Sequence, residues 1–211
     1  MLLILPIMGC DDTTSPCHDC PSDDHQGHYT EHVEARFPGN DGATVTVTDF
    51  VGSIRYRTGE SGTVRVSATK RAASRSDLHR IDLTMIETAH GIEVKARNPE
   101  NTRDTSVDLE VTTPEVTNPQ VTVGVGDILY GGRPEGWCSF EAGVGTIRLW
   151  LSDDIDIEVD LTSGVGTITS ELPIRGASSS VPAMVKGTIG DGTGGHIHAT
   201  TGVGNIQLLK R

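Results

Sequence analysis

The sequence predicts an all-β protein, a β-solenoid-like stack of short strands joined by Gly-rich turns. Three observations carry that expectation. Val, Ile and Leu, set among Thr and Ser, supply most of the apolar content, a mixture that favours strands over helices. Alternation of apolar and polar residues dominates from residue 44 onward, as half-buried strands require. A Gly-x-Gly motif also returns at a near-constant interval, the mark of a repeat architecture.

The repeats are Gly124-Val-Gly-Asp-Ile128, Gly143-Val-Gly-Thr-Ile147, Gly164-Val-Gly-Thr-Ile168 and Gly202-Val-Gly-Asn-Ile206, with Gly187-Thr188-Ile189 as a degenerate copy. Aligned on the glycine before the polar residue, they fall at 126, 145, 166, 187 and 204, spaced by 19, 21, 21 and 17 residues. Each unit reads as two short strands. Ile147, Leu149 and Leu151 share one face. After a turn at Asp153-Asp154, Ile155, Ile157, Val159 and Leu161 alternate with Asp156, Glu158 and Asp160. The glycines let the chain turn where a Cβ would clash and admit positive φ. One unit cannot bury its apolar face alone, whereas stacked units can. Ile147 and Ile168 are therefore expected to be core residues stacked one rung apart, with Thr146 and Thr167 tolerant of change. Because strand residues follow these glycines, and not a helix N-terminus, a nucleotide-binding loop is excluded.

Residues 41 to 120 are the same material with less regularity. Thr44–Thr48, Gly52–Tyr56, Gly62–Ser67, Arg80–Thr84, Gly91–Lys95 and Val107–Val111 alternate, and Asn98-Pro99 and Asn118-Pro119 punctuate them. The opening Val45-Thr-Val-Thr-Asp-Phe-Val-Gly-Ser-Ile54 with Gly62-Thr-Val-Arg-Val-Ser-Ala-Thr-Lys70, the Gly-x-Gly-[Asp/Thr]-Ile rungs, and the closing Gly194–Ile206 together resemble the bacterial "putative adhesin" family of β-strand repeats. The resemblance covers most of residues 41–211. It implies a non-enzymatic, adhesin-like binding or scaffolding module, and no biochemical activity more specific than that.

The N-terminus reads as an address. Ile7-Met8-Gly9-Cys10 ends an apolar run and resembles the lipobox of bacterial lipoprotein signal peptides. That implies cleavage before Cys10, a diacylglycerol on its thiol with a palmitate-type acyl anchor, and a place on a membrane of the cell envelope. No Lys or Arg precedes the run, and the run is short for a signal peptide, so a start upstream of Met1 is expected. The organisation is then a signal peptide at 1–9, an acidic lipid-anchored linker at 10–40 and one β-repeat domain at 41–211. Seven acids and no Lys or Arg lie between Cys10 and Ala35, which accounts for more than half of the net charge of −12. The one small basic run, Lys70, Arg71, Arg75 and Arg80, reads as a solvated loop, so a nucleic-acid partner is not expected.

Little in the sequence looks like catalysis, and no cofactor is expected. Cys17-His-Asp-Cys20 with His25 and His28 gives weak metal candidates on the arm, and a metal-binding lipoprotein is the first alternative reading. A carbohydrate-active β-helix protein is the second. It would need clustered acids with Arg, Lys or aromatics in a groove, and no rung shows that set. His196 and His198 share a face without a third ligand, and Ser178-Ser179-Ser180 has no local base. The insertion Tyr130–Phe140 interrupts the repeat and concentrates aromatics in a chain that has few. A ligand site, if present, is expected to include Tyr130, Arg133 and Trp137, with an envelope protein or glycan as its partner.

Overall fold

The computed structural model describes residues 29–59, 62–180 and 183–211, without the side chains of 177–180. The 1–9 segment, Cys10, Cys17, Cys20, His25 and His28 lie outside the described residues. The first described strand is β1 (Tyr29–Pro38). β2 (Ala43–Val51) turns at Gly52 into β3 (Ile54–Thr58), and β4 (Thr63–Ala72) leads into the short helix α1 (Arg75–Arg80). β5 (Asp82–Thr88), β6 (Gly91–Arg97) and β7 (Ser106–Thr113) follow. β8 (Thr117–Val125) turns at Gly126 into β9 (Ile128–Gly131), β10 (Trp137–Val144) at Gly145 into β11 (Ile147–Leu151), and β12 (Ile157–Val165) at Gly166 into β13 (Ile168–Ser170). β14 (Arg175–Ser180) pairs antiparallel with β15 (Ala183–Ile189), and β16 (Gly195–Val203) turns at Gly204 into β17 (Ile206–Lys210).

The strands form two mixed sheets. One has eight strands in the order β1-β4-β7-β3-β9-β11-β17-β13. The other has nine, β14-β15-β12-β16-β10-β8-β2-β6-β5. At each of five glycine corners the chain passes from the nine-stranded sheet to the eight-stranded one. One continuous core fills the space between the sheets, from Val45 and Val47 through Phe140 to Ile206 and Leu208. The corners are laced by a regular ladder. Gly126 N–H donates to Val144 O, Gly145 to Val203 O and Gly204 to Val165 O, and Ile128, Ile147 and Ile206 donate to Thr146, Asn205 and Thr167. The polar residue after each glycine also has a use: Asp127 Oδ1 accepts from Thr146 N and Asn205 Oδ1 from Thr167 N.

The rungs stack in parallel, but not in chain order, and this corrects the solenoid expectation. The β16–β17 rung sits between β10–β11 and β12–β13, so the chain does not wind as a sequential solenoid. Ile147 faces Ile206 and Ile206 faces Ile168, which places Ile147 and Ile168 two rungs apart. Gly187-Thr188-Ile189 is not a rung. It ends β15, which runs antiparallel to β12 and covers its outer edge. The final repeat therefore enters on the other side of β12, where parallel partners were open. Ile206→Ala is expected to cost roughly 2–5 kcal/mol, as for a fully buried aliphatic, because Ile206 has no solvent exposure. Ile168, half-buried at the edge of its sheet, is expected to cost less. Denaturant unfolding of the two variants checks the order.

Two further readings change. The 10–40 segment does not stay polar linker to its end, since Tyr29–Pro38 pairs along its whole length with β4. Phe37 is buried, and Val33 and Ala35 pack on the core from the same face, so even this charged stretch carries a period-two stripe. The basic run is not a loop either. Lys70 and Arg71 belong to β4 and pair with Glu31 and Asp108, and Arg75 and Arg80 lie on α1. Ser74 caps that helix by accepting from Asp77 N–H.

Candidate functional site

The insertion between β9 and β10 sends its aromatics in opposite directions. Strand alternation turns Tyr130 and Phe140 inward and Trp137 outward. Tyr130 is buried, with its ring 4.9 Å from Phe140 and 5.9 Å from Tyr56. Burial lifts both tyrosine hydroxyls well above their ordinary range, and Tyr56 Oη meets Thr117 Oγ1 at 3.0 Å. Cys138 is a free thiol with no exposure, pushed up to about 12 by burial, so it is a core residue without thiolate character. Tyr130 thus ties the two sheets together, and its ring is not open to a surface ligand.

Trp137 is 54% exposed and lies flat on the His196 ring, with centroids 4.2 Å apart and planes at 5°. The register makes this contact, because Trp137 of β10 faces His196 of β16. His196 Nδ1 stands 3.4 Å from Glu158 Oε2, and His198 Nδ1 stands 3.9 Å from Asp160, which also pairs with Lys186 at 2.7 Å. The two histidines therefore share a face, each beside an acid of β12. Arg133 is exposed, 3.9 Å from Glu135 and 3.8 Å from Asp154. Among the described residues no three His, Cys, Asp or Glu side chains stand close enough to hold a metal, and no helix is long and apolar enough to cross a membrane.

A second surface feature comes from the repeat itself. The valine between the two glycines of each motif does not enter the core. Val51, Val125, Val144, Val203 and Val165 stand in register across five neighbouring strands at the corner between the sheets. Val125, Val144, Val203 and Val165 are 49%, 47%, 49% and 67% exposed. The flanking glycines keep the backbones tight there, since a Cβ on Gly143 would lie 2.5 Å from Gly124 O and one on Gly202 2.7 Å from Gly143 O. The sequence shows the repeated valine plainly. What it hides is that the residue sits at a corner, where alternation no longer decides which side is buried.

No protein-family model matches the chain, and no curated protein does. A solved structure does share its fold. A "putative cell adhesion protein" from Clostridium sporogenes is 12% identical with a TM-score of 0.51, over 86% of this chain and 100% of that one. A "putative adhesin" from Parabacteroides merdae is 10% identical with a TM-score of 0.41, over 67% of this chain and 65% of that one. At 12% identity the first likeness is one of fold alone, and the second is too loose to bear on the fold.

Proposed function

We propose that this chain is a non-enzymatic, adhesin-like binding module of the cell envelope, held at a membrane by acyl chains on Cys10, that docks a protein partner along its valine corner. The observation that carries this reading is the exposed Val125–Val144–Val203–Val165 ridge. Folding does not need apolar side chains there, and an apolar strip kept at four successive corners is what a partner surface requires. Trp137 and Arg133, exposed at the opposite end of β10, would extend the contact or hold a glycan. A fold shared with a protein described as a "putative cell adhesion protein" fits this role.

The test uses the full chain with a competent secretion signal, beside a Val125→Ser, Val144→Ser, Val203→Ser variant. Exposed substitutions of this kind are expected to shift stability by no more than about 0.5 kcal/mol each, so the melting temperature should fall by no more than about 6 °C. Envelope capture followed by affinity measurement on the identified partner should show a loss of about tenfold or more, roughly 1.4 kcal/mol. A folded variant with unchanged partner affinity sinks the ridge as the docking surface. In the same strain, labelled fatty acid should enter the wild-type chain and not the Cys10→Ala variant. Equal labelling of the two refutes the anchor.

A further inference from the structure

The outer face of the eight-stranded sheet carries a feature of opposite character. Sheet register aligns Arg36, Arg65, Thr112, Arg57, Gly131 and Trp150 across β1, β4, β7, β3, β9 and β11. No acid stands in that row, although the chain carries a net charge of −12. Arg55 lies two residues from Arg57 on the same face, paired with Glu110 of β7. Arg55, Arg57, Leu129, Gly131, Trp150 and Arg211 line an open groove of about 410 Å³, within the roughly 300–1,000 Å³ common for small-molecule clefts. Gly131 makes the opening. It stands between Arg57 and Trp150, and a Cβ built on it would meet nothing within 4 Å.

We propose that this groove binds an acidic sugar, a hexuronic acid unit of an envelope or host polysaccharide. The sugar ring would lie against the indole of Trp150, over the gap at Gly131, with its carboxylate on Arg57 and Arg55. Arginine presents a planar fork of donors that matches a carboxylate, and an indole offers the flat apolar face a pyranose ring stacks on. The overall charge selects the size of the ligand. Charges beyond about 10 Å are screened at 0.1 M salt, so one carboxylate in the groove feels mainly Arg57, Arg211 and the Arg55–Glu110 pair. A densely charged polymer such as nucleic acid would run past the row and meet the acidic remainder of the chain. The proposal extends the binding role given above to a second face, and it does not depend on the valine ridge.

The test is titration of the full chain with a galacturonic acid oligosaccharide, followed by tryptophan fluorescence. The chain has two tryptophans, so a Trp137→Phe background leaves Trp150 as the reporter. Binding should quench Trp150 and weaken with salt. The neutral methyl ester of the same oligosaccharide should bind at least about tenfold more weakly. Arg57→Ala should lose a similar factor. Gly131→Leu should abolish binding by filling the gap while keeping the melting temperature, because the position is open. Equal affinity for the neutral ester, or an unaffected Gly131→Leu variant, overturns the proposal. So does tighter binding of a sulfated oligosaccharide, an oligothymidylate or vesicles containing anionic phospholipid, each of which would assign the groove to a different ligand. Failure of the ridge variants to lose their partner leaves every one of these outcomes readable.

Discussion

Replacing Gly145 by alanine is expected to cost more than about 4 kcal/mol, a large fraction of a typical domain's stability. The cause is local and double. Gly145 has φ of 148°, a region L-residues rarely enter, and a Cβ built on it would lie 1.8 Å from the Gly126 carbonyl oxygen of the next rung. The obstacle is backbone in a hydrogen-bonded stack, so no side chain can swing aside. Gly126, Gly204 and Gly166 repeat the arrangement, with contacts of 1.7, 1.9 and 1.8 Å to the carbonyls of Gly52, Gly145 and Gly204. Two alanine variants provide the scale. Gly143→Ala meets Gly124 O at 2.5 Å without a positive φ, and should lose less. Gly131→Ala meets nothing and should be neutral within about 0.5 kcal/mol. Urea unfolding of the three, with yield of folded protein as the first readout, checks the ranking. A Gly145→Ala variant as stable as Gly131→Ala would mean that the rungs are not stacked at this spacing.

That same stack explains what the sequence could and could not reveal. Gly-x-Gly-x-Ile predicts a corner because glycine alone fits its backbone and the isoleucine after it must face inward. Those requirements are local, and they are met at Ile128, Ile147 and Ile206, all without solvent exposure, and less fully at Ile168 on the sheet edge. Rung order is not local. The corners are chemically alike, so Ile206 fits above Ile147 as well as Ile168 does, and the choice is made by β15 closing the far edge of β12. β1 is hard to read from the sequence because its inward stripe is only Val33, Ala35 and Phe37 among charges, and because its partner β4 lies far along the chain. The cap of α1, Ser74 with Asp77 three residues on, is a readable helix start inside a short basic segment. The groove could not be found from spacing at all. Arg57, Gly131 and Trp150 are brought side by side only by the register of three strands.

Asp49→Asn is expected to stabilise the protein by several kcal/mol at pH 8 and by little at pH 4. Asp49 is 3% exposed, and neither carboxyl oxygen finds a partner of good hydrogen-bond geometry. Its ladder position runs Asp49, Val123, Ala142, Thr201, Ser163 across five strands. The polar members at the far end are neutral donors. Ser163 Oγ donates to Gly204 O at 2.8 Å and Thr201 Oγ1 to Gly145 O at 3.1 Å. Asp49 Oδ2 lies under Gly52 as Ser163 Oγ lies under Gly166, each 2.9 Å from where the glycine's Cβ would be, and the next carbonyl along the stack is that of Val107. The place suits a protonated acid, which can donate, and not a carboxylate, which cannot. Burial, helped by the charge of Asp108 on β7, raises the Asp49 pKa from 3.8 to about 8, and the amides of Phe50 and Val51 offset this only in part. Asp108 itself pairs with Arg71 of β4 and accepts from Ser53 N. The sign follows from linkage. The folded state holds a proton that the unfolded chain has released between pH 3.8 and about 8, so stability falls as pH rises through that window and levels off above it. At 1.36 kcal/mol per pKa unit the full effect approaches about 6 kcal/mol. Asparagine keeps a donor at the site without the charge. The difference in unfolding free energy between Asp49→Asn and the wild type, measured from pH 4 to pH 9, should therefore open steadily up to about pH 8 and then stay constant. A difference that stays flat across this range would mean that Asp49 titrates as an ordinary surface acid and that its carboxyl is not held in the stack.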